Sequence, residues 1–135
     1  MRGTARVLPR GIPDCLKKRR LLNEKALDPA LCRDYGERFL ALGWWEDALE
    51  FFLKGADQGG LDKIREKALE AGDAHLLARV LGRKPDPDLW RRAAERALAL
   101  GKLQFARQAL ESAGDRERAA ALAQGLKADY RETDI

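Results

Sequence analysis

A seven-residue phrase that occurs three times constrains the fold of this chain more than any other feature. Its copies end in Gly43, Gly72 and Gly101, which lie 29 residues apart both times (72 − 43 and 101 − 72). A fixed period of this size is typical of repeat proteins, in which one supersecondary unit stacks on copies of itself. The three copies are residues 37–43, 66–72 and 95–101.

Each phrase predicts the end of a helix. Its Glu, Arg or Lys, Ala and Leu residues are good helix formers because they lose little side-chain freedom in a helix. The glycine that follows can take the left-handed conformation that closes a helix at little steric cost. Since a new apolar pattern starts directly after each glycine, we expect the repeating unit to be an antiparallel helical hairpin.

Helix start and stop signals set the boundaries of these hairpins. Pro29 suits the first turn of a helix, where its missing N–H is not needed. The pair Gly59-Gly60 and the two prolines of segment 83–88 predict loops between the hairpins. We therefore expect about three hairpins, at about 29–56, 61–82 and 88–113.

The N-terminal residues are predicted to form an arm and a short helix. Residues 1–13 contain glycines, prolines and arginines without sustained periodicity, and we expect them to be a flexible basic arm. Asp14 follows Pro13 and is the predicted N-cap of a short helix from Cys15 to about Ala26.

The C-terminal residues are predicted to cover the last hairpin. Gly114 and Asp115 combine a helix stop with a helix cap, and a polar capping helix is expected at 115–127. A solenoid needs such a lid because a terminal repeat would otherwise expose an apolar face. We expect residues 128–135 to be a frayed tail, and residues 14–127 to make one all-α repeat domain.

The hairpin pattern resembles the tetratricopeptide repeat. The first copy matches that pattern at Tyr35, Gly36, Phe39, Gly43, Ala48 and Phe52, with Cys32 in place of the first aromatic residue. The third copy matches at Trp90, Ala93, Ala94, Ala97, Gly101, Ala106 and Leu110, and the middle copy is degenerate. The resemblance implies a right-handed α-α superhelix whose concave surface holds extended peptides. It also implies outward, partner-facing positions at Arg33, Asp34, Asp62, Lys63, Arg91 and Arg92.

Two adjacent tryptophans follow the first hairpin turn. Trp44 and Trp45 are about 100° apart around a helix, so both cannot point into the same core. Trp45 matches the buried position of the repeat, which leaves Trp44 partly exposed. Either Trp44 covers the edge of the hairpin, or it is a binding anchor, since tryptophan is enriched at interface hot spots.

The charge of the chain is uneven. The net charge is +4, and residues 1–25 contribute +6, from eight Lys or Arg against Asp14 and Glu24. This segment contains the run Lys17, Lys18, Arg19 and Arg20. One interpretation is a solvated helix face. The alternative is a phosphate-binding patch that would make the chain a nucleic-acid-associated protein, although no aromatic residues interleave with the run for base stacking.

The side chains that carry most enzyme chemistry are scarce. The chain has one His (His75), one Ser (Ser112) and two Cys (Cys15 and Cys32), and no motif for nucleophilic catalysis surrounds any of them. Metal-ligand spacing and glycine-rich phosphate loops are lacking as well. We therefore expect a protein that is not an enzyme and needs no cofactor or metal.

The remaining expectations concern location and partners. A helical chain with only two cysteines, neither in a ligand-like spacing, favours a reduced, cytoplasmic protein, and no apolar run has the length of a membrane span. The repeat pattern without a catalytic constellation predicts a non-enzymatic adaptor that binds a protein or peptide. Such a chain is expected to be a monomer or a homodimer.

Overall fold

The computed structural model describes residues 10–133, and in that range the chain forms eight helices and no strand. The prediction of an all-α fold is therefore confirmed. The helices are α1 (Cys15–Asn23), α2 (Pro29–Ala41), α3 (Trp45–Lys54), α4 (Gln58–Ala71), α5 (Ala74–Leu81), α6 (Pro87–Ala99), α7 (Leu103–Ser112) and α8 (Arg116–Thr133).

The three repeated phrases end in the same turn. Gly43, Gly72 and Gly101 have φ angles of +75°, +61° and +73°, in the left-handed region that glycine favours. In each turn the N–H of the next residue donates to the carbonyl oxygen five positions back, at 2.8–3.0 Å. This is the hydrogen bond of a Schellman helix end, and the prediction that these glycines separate helices is confirmed.

Aspartate side chains start several of the helices, as predicted for Asp14 and Asp115. Asp14 accepts from the Lys17 N–H at 2.8 Å, and Asp73 accepts from the Leu76 N–H at 3.0 Å. Asp28 caps α2, whose first residue is Pro29. These oxygens satisfy N–H groups that the first helical turn leaves unpaired.

The structure corrects the boundary between the first two hairpins. Gly59 and Gly60 were expected to form a loop, but they lie in the first turn of α4, which Asp57 caps at the Gly60 N–H (3.1 Å). A β-carbon at Gly60 would overlap atoms of the Phe52 ring. The glycine therefore permits close packing of α4 against α3 and does not break the helix.

The two ends also differ from expectation. Residues 1–9 and 134–135 lie outside the described range, so the predicted arm is described only at 10–13. There Pro13 is buried, and the Gly11 carbonyl oxygen accepts a hydrogen bond from Arg38 Nη1 at 2.7 Å. Residues 10–13 are therefore attached to the folded chain and do not form a free arm. Helix α1 ends at Asn23, before the expected end at Ala26. Helix α8 continues to Thr133, beyond the expected end at Lys127.

The chain divides into two compact units, with the boundary between Ile64 and Arg65 inside α4. In the first unit α2 packs on α3, and α1 lies against α3. The core of this unit is aromatic, with Phe39, Phe51 and Phe52 fully or almost fully buried. The Phe39 and Phe51 rings stack with centroids 5.7 Å apart.

The second unit has a core in which alanines pack with leucines and Trp90. Helix α7 packs on α6 and α8, and α5 contacts both α6 and α7. The buried alanines are Ala68, Ala74, Ala93, Ala94, Ala97, Ala106, Ala109 and Ala119. Small side chains allow helices to approach closely, and at Gly72 a β-carbon would lie 2.8 Å from the backbone N and Cα of Ala97.

Candidate functional site

An open cleft lies in the second unit, between the C-terminal half of α4 and the middle of α6. It encloses about 230 Å³ and is lined by Glu66, Leu69, Glu70, Arg92 and Arg96. Residues four apart lie on the same face of a helix, so α4 contributes an acidic wall and α6 a basic wall. The walls of the cleft thus carry opposite charges.

Arg96 holds the basic wall in place. Its Nε donates to the backbone carbonyl oxygen of Glu70 at 2.7 Å, and Lys102 Nζ donates to the carbonyl oxygen of Ala71 at 2.6 Å. The last turn of any helix leaves carbonyl oxygens without intrahelical partners, and cations near that end are favourable. Arg96 therefore has a structural role at the end of α4.

Arg92 is the side chain that the cleft leaves available. It is exposed and makes no hydrogen bond or ion pair among the residues that the structure describes. The carboxylates opposite are held only loosely, since Glu66 lies 3.9 Å from Arg65 and Glu70 lies 3.9 Å from Lys67. Exposed pairs at such distances contribute little, so these three charged groups can accept new partners.

The glutamates that begin the other two repeated phrases are paired differently. Glu37 binds Lys63 at 2.7 Å, and Lys63 precedes Arg92 by one 29-residue period. Glu95 binds Arg118 at 2.8 Å. In the middle copy no such pair joins Glu66 to Arg92, and the cleft lies where an ion pair closes the first copy.

Most of the partner-facing residues expected from the sequence are occupied in surface ion pairs. Their ion pairs are Arg33–Asp57 at 3.4 Å, Asp34–Arg38 at 2.7 Å, Lys63–Glu37 at 2.7 Å and Arg91–Asp88 at 2.6 Å. Asp62 also has a polar neighbour, as Gln58 Nε2 donates to it at 2.9 Å. Of the predicted positions, Arg92 lines the cleft.

Sequence reasoning missed Glu66, Leu69, Glu70 and Arg96. A signal for Glu66 and Arg96 was present, because Glu37, Glu66 and Glu95 share one register of the 29-residue period. The basic residues Arg38, Lys67 and Arg96 share the next register. The sequence does not reveal which of these charged residues form ion pairs with a neighbouring helix, since that depends on the spacing between the helices.

Both tryptophans are half-buried. Trp44 lies at the N-cap position of α3, and its ring centroid is 5.9 Å from that of Phe39. Trp44 therefore covers the edge of the first hairpin, in line with the first of its two interpretations. Trp45 was expected to be buried, but at the first position of α3 it is only half-buried.

The basic run on α1 is not a uniform patch. Lys17, Arg19 and Arg20 are exposed, but Lys18 Nζ lies 2.5 Å from Asp47 Oδ1 and 2.9 Å from Glu50 Oε2 on α3. Desolvation by burial acts to lower the pKa of Lys18, but hydrogen bonds and charge attraction from the two carboxylates outweigh it and raise that pKa. Lys18 is thus a contact between two helices.

The candidate nucleophiles and ligands lie in unremarkable places. Burial raises the pKa of the Cys32 thiol, which keeps it protonated, while Cys15, His75 and Ser112 are exposed. No three His, Cys, Asp or Glu side chains come together as metal ligands within the described residues. None of the helices in residues 10–133 has the length and apolar character that a membrane span requires.

Comparison with known proteins identifies no relative. The chain matches no protein-family model, no curated protein and no solved structure.

Proposed function

We propose that the chain is a non-enzymatic adaptor that binds a peptide or protein partner, and that the cleft of the second unit is one site of contact. The observation that carries this proposal is the separation of Glu66 from Arg92, two opposite charges with space between them. Elsewhere in the described chain, the equivalent glutamates already have cationic partners. Complementary charge on a partner would therefore be recognised here more readily than at the closed pairs.

The proposed architecture is a tetratricopeptide-like, right-handed α-α superhelix. Three helix ends with the same left-handed glycine and the same hydrogen bond, spaced by 29 residues, support it. So does the pairing of α2 with α3 and of α6 with α7. Helical-hairpin repeats of this kind commonly present extended binding surfaces, which agrees with an adaptor.

The cleft favours a partner segment that carries both signs of charge. A cationic side chain would face Glu66 and Glu70, and an acidic side chain would face Arg92, whose guanidinium can bind a carboxylate with two hydrogen bonds. Leu69, only 5% exposed, adds little apolar surface to the cleft. Recognition would then depend mainly on charge and would weaken as salt is added.

Two neighbouring arginines on α6 provide a matched test of the cleft. Arg92→Ala removes the available cation, whereas Arg91→Ala removes a cation that already pairs with Asp88 at 2.6 Å. In pull-downs from the source cell, we expect partner recovery to fall about tenfold for Arg92→Ala, as for loss of one charged hydrogen-bonded contact, and to remain unchanged for Arg91→Ala.

Two results would count against these proposals. Equal recovery with both variants would show that the cleft is not the contact site. Recovery of no protein at all, together with turnover of a metabolite by the purified chain, would contradict the adaptor function itself.

The alternative function is association with nucleic acid through the N-terminal basic residues. Lys17, Arg19 and Arg20 are exposed and could contact phosphates, but Lys18 is already bound to two carboxylates. Binding to DNA or RNA that falls steeply with salt and is lost in Lys17→Ala/Arg20→Ala would favour this function. Lack of binding at low salt would exclude it.

A further inference from the structure

The contact between α1 and α3 is centred on one ammonium group. Lys18 Nζ is shared between Asp47 at 2.5 Å and Glu50 at 2.9 Å. The two carboxylates are three residues apart and so lie on one face of α3. All three side chains are partly shielded, with 22%, 29% and 34% of their surfaces exposed. This is a formed site for a cation, and a residue of the chain's own N-terminal segment occupies it.

Helix α1 has little else to hold it. It is nine residues long and contains no buried residue. Leu21 and Leu22 are half-buried, whereas Leu16 is 70% exposed. Since a helix this short is not stable alone in water, its structure depends on being docked. Because little apolar surface is buried, undocking costs little free energy.

The segment is anchored before the helix begins. Pro13 is buried, and the carbonyl oxygen of Gly11 accepts a hydrogen bond from Arg38 at 2.7 Å. On the other side, residues 24–28 connect α1 to α2, and all but the half-buried Leu27 are exposed. Helix α1 can therefore leave α3 without disrupting the core of the first unit.

We propose that the acidic face of α3, formed by Asp47 and Glu50, is a docking site for a basic helical segment of a partner protein, and that α1 occupies it as an intramolecular ligand that the partner displaces. The bound helix defines the chemistry of that partner. It presents a lysine toward the two carboxylates, with apolar residues three and four positions later, as in Lys18, Leu21 and Leu22. This surface belongs to the first unit and does not depend on the cleft of the second.

Charge and shape both favour a helix as the occupant. Two carboxylates repel phosphate, so nucleic acid does not fit this face. Lysine gives a compact charge on a flexible stem, which matches two carboxylates on successive turns of α3. Such a partner binds only the molecules in which α1 is undocked, so its apparent affinity falls as the docked fraction rises.

The test uses the full chain and a peptide that carries the chemistry of α1. The probe is a fluorescent peptide of residues 10–27 with Cys15→Ser, and binding is followed by anisotropy at low salt. The full-length protein is compared as wild type, Lys18→Glu and Lys18→Met, which empty the site while leaving Asp47 and Glu50 in place. Lys63→Glu is the matched control, because it breaks an exposed ion pair with Glu37 that does not involve α1.

We expect Lys18→Glu and Lys18→Met to bind the peptide at least about tenfold more tightly than wild type, because the competing α1 is released. The Lys63→Glu control should bind like wild type. Adding Asp47→Lys and Glu50→Lys to Lys18→Met should abolish binding of this peptide. Circular dichroism of each variant establishes that α2 to α8 remain folded.

Three results would overturn the proposal. One is equal affinity of the peptide for wild type and both Lys18 variants. Another is binding that survives the change of Asp47 and Glu50 to lysine. The third is a wild-type dimer in light scattering that Lys18→Met converts to monomer, since the occupant would then be α1 of a second copy.

Discussion

Gly72 and Gly101 close equivalent helices, with φ angles of +61° and +73°, but their surroundings differ. A β-carbon at Gly72 would lie 2.8 Å from the backbone of Ala97, whereas no atom lies within 4 Å of one at Gly101. We expect Gly101→Ala to lower the free energy of unfolding by about 1 kcal/mol, the cost of a left-handed alanine. Gly72→Ala should lower it by about 3 kcal/mol, because a clash with backbone is added. Urea unfolding measures both, and equal losses would contradict the close packing at Gly72.

Ala56 is a non-glycine residue in a backbone conformation that favours glycine. Its φ angle is +49°, and the Asp57 N–H donates to the Phe52 carbonyl oxygen at 2.9 Å, as in the glycine turns. We expect Ala56→Gly to raise the free energy of unfolding by about 0.5–1 kcal/mol, since relief of the strain exceeds the entropy that glycine adds to the unfolded chain.

The control for that substitution is Ala120→Gly, at an exposed position inside α8. It should have the reverse sign and destabilise by about 0.5–1 kcal/mol, because alanine is the better helix former. Destabilisation by both substitutions would show that Ala56 is not strained in solution.

At the scale of the elements, α1 should respond to alkaline pH through Lys18. Its pKa is raised above the ordinary value of 10.5, so the charged form is favoured in the folded chain. The resulting stabilisation is complete below pH 10.5 and is lost as the pH rises through the raised pKa. Helix content measured by circular dichroism should therefore fall further in wild type than in Lys18→Met over this window. An identical pH profile of the two proteins would show that Lys18 does not hold α1.

The glycine stops of the repeat and the aspartate caps were more predictable than the ends of α1 and α8. Stops at Gly43, Gly72 and Gly101 and caps at Asp14 and Asp115 are local signals, in which a few adjacent residues determine the backbone. The pair Gly59-Gly60 was misread for the converse reason. Gly60 admits the Phe52 ring, a contact with another helix that adjacent residues do not reveal.

The candidate sites were less predictable than the helices. Arg92 was expected on an outward surface and does line the cleft. Glu66 and Glu70 resembled ordinary surface glutamates, because a sequence shows which charges share a register but not whether the helices bring them into contact. Lys18 resembled one more residue of a solvated run for the same reason, although it is bound to Asp47 and Glu50.

At the scale of the whole molecule, two compact units share one repeated sequence pattern. The boundary falls between Ile64 and Arg65, within α4, where the 29-residue period continues without interruption. The core of the first unit is mainly aromatic, whereas that of the second is mainly alanine and leucine. The same hairpin design therefore tolerates two kinds of core, provided that its glycine-closed turns are kept.

The Phe52 ring lies against two glycines, Gly36 on α2 and Gly60 on α4, and a β-carbon at either would overlap it. Neither glycine can acquire a side chain while the ring remains, and a smaller residue at 52 would leave a cavity between them. Evolutionary drift at these three positions is therefore coupled. Once a lineage has replaced Phe52 with a smaller residue, it can accept alanine at position 36 or 60, which the present sequence cannot.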